Sequence, residues 1–243
     1  MNGTPPAATE ALELLSTGET EVLGLLPYSS NYVFLARVRR DGERALAIYK
    51  PRRGERPLWD FPRGTLAARE VAAFLVSESA GWRIVPATVL RKDAPMGAGS
   101  LQLFIEHDPE EHYFTLFEEH VEEFFVFAAF DVVINNADRK AGHVLRSGDG
   151  RLWAVDHGVS FHAQDKLRTV IWNLAQEALP DAVCARLSRL RIALADEDGL
   201  GGEITRLLSP REALATRERV ERLLSAGRLP SPSSEHHLPW PLI

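Results

Sequence analysis

Two aspartates, Asp138 and Asp156, stand 18 positions apart in surroundings suited to phosphate chemistry. The first lies in Asn136-Ala137-Asp138-Arg139-Lys140-Ala141-Gly142-His143, just after a long apolar run. The second closes the run Leu152-Trp153-Ala154-Val155 and opens Asp156-His157-Gly158. Phosphoryl transfer needs one carboxylate to orient or deprotonate a hydroxyl, and ligands to hold a divalent cation on the phosphates. Asp138 suits the first task and Asp156 the second, with His143 between them as a candidate metal ligand. Read singly, Asp138 is equally an Asx-turn residue closing a helix, and a lone histidine is more often structural than ligating.

Two residues upstream strengthen the phosphate reading. Lys50 ends the strand-like run Ala45-Leu46-Ala47-Ile48-Tyr49. Glu70 has Leu66, Ala67, Ala73 and Phe74 at helical spacings of three and four, so it falls on a packing face. A carboxylate there is costly unless paired, and a lysine from an adjacent strand is the economical partner. Kinases hold the nucleotide phosphates with such a Lys–Glu pair. The segment Pro27–Asn31 falls between two strands, where a phosphate-covering loop would lie. It contains no glycine, but Ser29, Ser30 and Asn31 offer hydroxyl, amide and backbone donors. An ordinary polar turn would read the same way. A rival zinc or iron site would gather His143, Asp156, His157 and His162. It has no His-Glu-x-x-His element behind it and leaves Lys50 and Glu70 without a purpose. A serine hydrolase is disfavoured because no Gly-x-Ser-x-Gly elbow occurs.

The elements that would position these residues follow from periodicity and breakers. A short helix is expected over Ala11–Leu15. Strands are expected over Glu21–Leu26, Tyr32–Arg39 and Arg44–Tyr49, the last two joined at Asp41-Gly42. An arginine- and proline-rich loop spans Arg52–Arg63, and a helix runs from Leu66 to Ala80. Two further strands fall at Ile84–Leu90 and Leu101–Glu106. Beyond Asp108, Glu118–Ile134 reads as one helix. A polar loop and a hairpin around Gly148-Asp149-Gly150 follow, with helical periodicity over Pro180–Leu194 and Pro210–Ala226. These boundaries imply a disordered tail (1–9), a nucleotide-binding sheet-and-helix lobe (10–106), a mainly helical catalytic lobe (107–228) and an irregular proline-rich tail (229–243).

Bulk composition narrows the class. The chain has 243 residues, 45% of them apolar, enough for a sizeable core. A formal charge of −6 argues against nucleic acid as the partner. One cysteine, Cys184, excludes an internal disulfide and a zinc–thiolate cluster. The start Met1-Asn2-Gly3-Thr4-Pro5-Pro6 has no secretory pattern, and no apolar run is long enough to span a bilayer. The expected location is cytoplasmic.

The ordered set Ile48-Tyr49-Lys50-Pro51, Glu70, Asp138-Arg139-Lys140-x-x-His143 and Asp156-His157-Gly158 resembles the catalytic core of phosphatidylinositol 3-/4-kinase-related proteins. From about Leu12 to Leu224 the chain is similar to a small actinobacterial kinase-like family related to that core. The resemblance implies an α+β, bilobal protein-kinase-like fold, with ATP between a small antiparallel-sheet lobe and a mainly helical lobe. Lys50 would contact the nucleotide phosphates and Glu70 would hold Lys50. Asp138 would act on the acceptor hydroxyl, and His143 and Asp156 would bind Mg²⁺ or Mn²⁺. Gln102-Leu103-Phe104-Ile105-Glu106 would form the hinge, with Phe104, Ile105 and Glu106 beside the adenine. Two positions depart from the lipid-kinase pattern. Lys140 replaces a histidine, and His143 replaces a magnesium-binding asparagine. Imidazole is a poor Mg²⁺ ligand and a better one for manganese, so Mn²⁺ is expected to serve better. The acceptor would be a hydroxyl compound, with Lys166 and Arg168 favouring an anionic one. A nucleotide-binding pseudokinase, a protein Ser/Thr kinase and an AMP transferase on the same fold remain open at this level.

Overall fold

The computed structural model describes residues 8–27, 31–232 and 237–243. Ser29 and Ser30, and residues 1–7 of the expected tail, lie outside the described residues. The chain divides into two compact units, residues 1–71 with 86–105, and residues 72–85 with 106–243.

The first unit carries helix α1 (Ala8–Thr17) and strands β1 (Glu19–Leu25), β2 (Phe34–Arg40) and β3 (Glu43–Pro51). Residues 8 and 9 are therefore helical, and the expected short helix is longer than its apolar residues suggested. Helix α2 (Leu66–Ala80) begins in this unit, and β4 (Thr88–Arg91) and β5 (Gly99–Leu103) complete an antiparallel sheet of order β1-β2-β3-β5-β4. Alternation along β2 and β3 turns Ala36, Val38, Ala47 and Tyr49 inward, where Leu14 and Leu15 of α1 are also buried. Arg91 ties helix to sheet: its guanidinium donates to the carbonyls of Leu15 (2.9 Å) and Gly18 (3.0 Å). These accept at the end of α1, where a helix leaves carbonyls without internal partners.

Two strand expectations are corrected. The strand expected at Ile84 begins only at Thr88. Ile84 and Val85 instead give their N–H groups to Ser77 Oγ, and Pro86 has none to offer a ladder. The strand expected through Glu106 stops at Leu103, and the Phe104 N–H bonds the Leu46 carbonyl at 3.0 Å.

The second unit is mainly helical. The single helix expected over Glu118–Ile134 is instead the end of a 3₁₀ turn (Phe117–Glu119) followed by α4 (Val121–Ile134), and a short helix, α3 (Tyr113–Leu116), precedes both. The break is at His120, whose φ of −128° and ψ of 33° are not helical. A 3₁₀ turn at Ala141–His143 leads into the hairpin β6 (Val144–Arg146) and β7 (Leu152–Ala154). Helices α5 (Asp181–Ala195), α6 (Leu200–Leu207) and α7 (Pro210–Ala226) follow. Their apolar faces bury Leu187, Leu190, Leu194, Ile204, Val220 and Leu223. The segment between the two helices expected at Pro180–Leu194 and Pro210–Ala226 carries Gly199, Gly201 and Gly202, and it forms α6. A Cβ at Gly201 would lie 2.4 Å from the Leu194 carbonyl, and one at Gly202 would lie 2.1 Å from that of Glu197. Close approach of the preceding backbone, not flexibility, selects glycine there. Among the described residues no helix is long and apolar enough to cross a membrane.

Candidate active site

In the first unit the ion pair forms as the packing argument required. Lys50 Nζ lies 2.5 Å from Glu70 Oε1, and the glutamate side chain is only 3% exposed. Lys50 is placed by its β3 register opposite Ser100 of β5. Gly99 follows that contact closely, since a Cβ there would come within 2.4 Å of the Lys50 carbonyl oxygen. Asn31 accepts the Arg56 N–H through Oδ1 at 2.8 Å, so this side chain braces the arginine-rich loop. Of the expected hinge residues, Phe104 and Ile105 leave β5 within this unit, Ile105 being buried, and Glu106 opens the second with its side chain exposed.

In the second unit, α4 ends at Asn135 in the left-handed region, and the chain turns directly into the loop that carries Asp138. The Asx-type bond of that turn comes from Asn136, and the Asp138 carboxylate takes no part in it. The Asp138 N–H bonds Asn136 Oδ1 at 3.0 Å, and the carboxylate, 39% exposed, lies 3.7 Å from Lys140 Nζ. Burial is the main cause that pushes the Asp138 pKa up to about 6, helped by the charge of Asp156 and opposed by Lys140 and Arg168. A carboxyl tuned towards neutrality suits a general base.

His143 and Asp156 come together. Their nearest atoms, Nε2 and Oδ2, are 3.6 Å apart, with the Asp156 side chain half exposed. Asp156 has a φ of +60°, uncommon for a non-glycine residue and tolerated best by Asn and Asp. His143 Nδ1 receives the Lys140 N–H at 3.4 Å, a weak contact. Among the described residues no group of three or more His, Cys, Asp or Glu could hold a metal ion. A cation clamped on nucleotide phosphates needs fewer protein ligands, because phosphate and water oxygens supply the rest. One carboxylate and one imidazole fit such an ion, and fit Mn²⁺ better than Mg²⁺. The four-ligand alternative fails on geometry: His157 is buried against Arg139 (2.9 Å), and His162 Nδ1 takes the Gln164 N–H at 3.0 Å.

Sequence reasoning missed the buried network beneath this loop. Asp131, on α4, and Arg139 form an ion pair in which both side chains are 0% exposed. The guanidinium contacts both Asp131 oxygens and donates to the carbonyls of Val155 (2.9 Å) and His143 (3.3 Å). It also meets His157 Nε2, and since arginine only donates, that nitrogen must be the acceptor. Asn136 Nδ2 and Thr169 Oγ1 donate to Asp131 as well, at 3.0 and 3.2 Å. Asn135 fastens the segment after Asp156 by donating to the carbonyls of His162 and Gln164 and accepting the Lys166 N–H. Buried Arg219 of α7 donates to the carbonyls of Val133 and His162, and burial lowers its pKa to about 10. One carboxylate inside the apolar run Phe124–Ile134 was the signal for this network. Its partners, 5 to 38 positions away, were not visible.

A family model described as phosphatidylinositol 3- and 4-kinase matches residues 65–207. The chain belongs to that family. This phosphatidylinositol 3- and 4-kinase family member is also similar to Protein Rv2133c of Mycobacterium tuberculosis (strain ATCC 25618 / H37Rv). The two are 36% identical over 267 residues, which covers 94% of each chain. The fold is that of solved kinases. A Golgi casein kinase structure with Mn/ADP bound matches 90% of this chain and 75% of its own, with a TM-score of 0.55 and 14% identity. The Helicobacter pylori proinflammatory kinase CtkA matches 86% of this chain and 92% of its own, with a TM-score of 0.52 and 11% identity. The architecture is therefore bilobal, kinase-like and α+β.

Proposed function

We propose that this chain is an ATP-dependent phosphotransferase acting on a hydroxyl-bearing, anionic acceptor. The observation that carries the reading is the Lys50–Glu70 pair, a buried carboxylate holding an ammonium at a strand end. Membership of the phosphatidylinositol 3- and 4-kinase family supports it. Lys50 would neutralise nucleotide phosphate charge, and Glu70 would fix the lysine in one rotamer. Asp138 would accept the acceptor's proton. Phe104, Ile105 and Glu106 would line the adenine, and Ser29, Ser30 and Asn31 would cover the phosphates. His143 and Asp156 would hold Mn²⁺ or Mg²⁺, which when bound screens the charge on the transferring group. Lys166 and Arg168 would attract the acceptor.

Lys50→Met is expected to weaken ADP binding about tenfold, the worth of one charge-assisted hydrogen bond. Calorimetric titration checks this, and unchanged affinity would remove Lys50 from the nucleotide site. Mn²⁺ is expected to support nucleotide binding and turnover better than Mg²⁺. A metal titration in which Mg²⁺ performs equally well defeats that expectation.

A second reading, nucleotide binding without turnover, draws on one observation. With Nδ1 accepting the Lys140 N–H, the neutral His143 ring carries its proton on Nε2, facing Asp156. Ligation through Nε2 requires that proton to move to Nδ1 and the Lys140 contact to break. Tight ADP binding with no ATP hydrolysis in any metal would select this reading.

A further inference from the structure

The proline-rich tail, read from sequence as an irregular end, is docked in the second unit. Leu229 is buried and exchanges backbone hydrogen bonds with Gln176 and Glu177. Further on, the His237 carbonyl accepts two donors from the segment after Asp156, the Thr169 N–H at 3.1 Å and the Trp172 indole N–H at 3.0 Å. The His237 and Trp172 rings meet edge to face, with centroids 5.8 Å apart. Pro239 is buried. The Leu242 carbonyl then accepts the Ala141 N–H at 2.7 Å, and a Cβ on Gly142 would touch Ile243.

These contacts fall on the two segments that carry the candidate chemistry. Ala141 opens the 3₁₀ turn that ends at His143. Thr169 is bridged to Arg139 and donates to Asp131. The loop bearing Asp138 is thus held by residues 168–170 through backbone hydrogen bonds, while residues 237–242 tie both of those segments in place. A first N–H of a helical turn has no partner within the turn, and here the tail supplies one.

We propose that residues 237–243 are a positioning clamp for the catalytic loop, fixing the turn that aims His143 at its cation. This rests on the nucleotide-and-metal reading above. The clamp acts through backbone carbonyls, so any side chain compatible with its path would serve. Outer groups that orient metal ligands typically affect affinity by tenfold or more.

Three variants test it: a chain ending at Pro232, and two full-length substitutions, Ala141→Pro and Trp172→Phe. Ala141 is the first residue of its turn and Lys140 before it is extended (ψ 163°), so proline fits the backbone while deleting the N–H. Trp172→Phe keeps an aromatic ring and removes the indole donor, which keeps the test open should the proline variant misfold. Hydrogen exchange is expected to quicken about fivefold or more at His143 and Thr169, the value of one lost hydrogen bond. Mn²⁺ affinity, measured with ADP present, is expected to fall about tenfold in the shortened chain. ADP binding without metal should stay within about twofold of the full chain. Unchanged exchange overturns the clamp. Faster exchange with unchanged Mn²⁺ affinity overturns its positioning role, and raised turnover in the shortened chain would mark the tail as a cover instead. A full-length chain that binds no Mn²⁺ with ADP sinks the nucleotide reading, and exchange then decides the clamp alone.

Discussion

Replacing Asp138 by asparagine is expected to lower ATP turnover by about 10² to 10⁴-fold, the range for loss of a general base. The same change is expected to raise the melting temperature at neutral pH. The turnover loss follows from removing the proton acceptor, and the stability gain from removing a charge that the fold desolvates. Burial raises the Asp138 pKa to about 6, so holding the carboxylate charged in the folded chain is unfavourable. The uncharged amide has the same shape and escapes that penalty. The sign with pH follows. A carboxyl whose folded pKa is raised adds stability fully only below its unfolded value, and that contribution fades as pH climbs through about 6. The asparagine variant should therefore exceed the parent in melting temperature above pH 6, with the gap closing near about pH 4.5. Turnover by the parent should fall as acid protonates the base through the same range. The Lys140 ammonium at 3.7 Å tempers the effect but does not reverse it, because desolvation is the larger cause. Melting curves and initial rates across pH check both halves. A variant with undiminished turnover would remove Asp138 from the chemistry, and a gap independent of pH would remove the electrostatic explanation.

What the sequence revealed, and what it hid, divides along physical lines. Helices α2 and α7 were legible to the residue because their determinants are local. At α7, Ser209 and Glu212 cap each other, Pro210 starts the helix, and Gly227 ends it in the left-handed region. The Lys50–Glu70 contact was legible for a different reason: a carboxylate on an apolar helix face needs a cation, and a strand-end lysine supplies one. Helix α6 was hidden because its glycines answer to the carbonyls of residues 194 and 197 in the backbone just before it, a close approach that overrides helix propensity. The false strand at Ile84 had the right apolar composition, but Ser77 takes its N–H. The role of the tail was hidden most completely. Its hydrogen bonds to the loops that carry the candidate chemistry run from backbone carbonyls to donors up to 101 positions away, and a carbonyl leaves no mark on side-chain pattern.

The buried pair beneath the catalytic loop carries the largest expected stability effect. Asp131→Ala is expected to destabilise the protein by about 3–5 kcal/mol, because it strands a fully desolvated guanidinium. That is a large part of the about 5–15 kcal/mol typical of whole domains. The Val155 and His143 carbonyls would still accept from Arg139, but neutral acceptors do not offset its charge. Thr169 and Asn136 would also lose their common acceptor. The double change Asp131→Ala with Arg139→Met should recover much of the lost stability, since a buried ion pair is worth little against apolar groups of similar volume. It should not recover turnover. The guanidinium joins α4 to the turn at His143 and to Val155 just beyond β7, so its removal loosens the support of both candidate metal ligands even in a well-folded chain. Urea unfolding of the two single variants and the double variant gives the coupling energy. If the double variant is no more stable than Asp131→Ala alone, the stranded charge is not the cause. If it is both stable and fully active, the pair serves the core and not the loop.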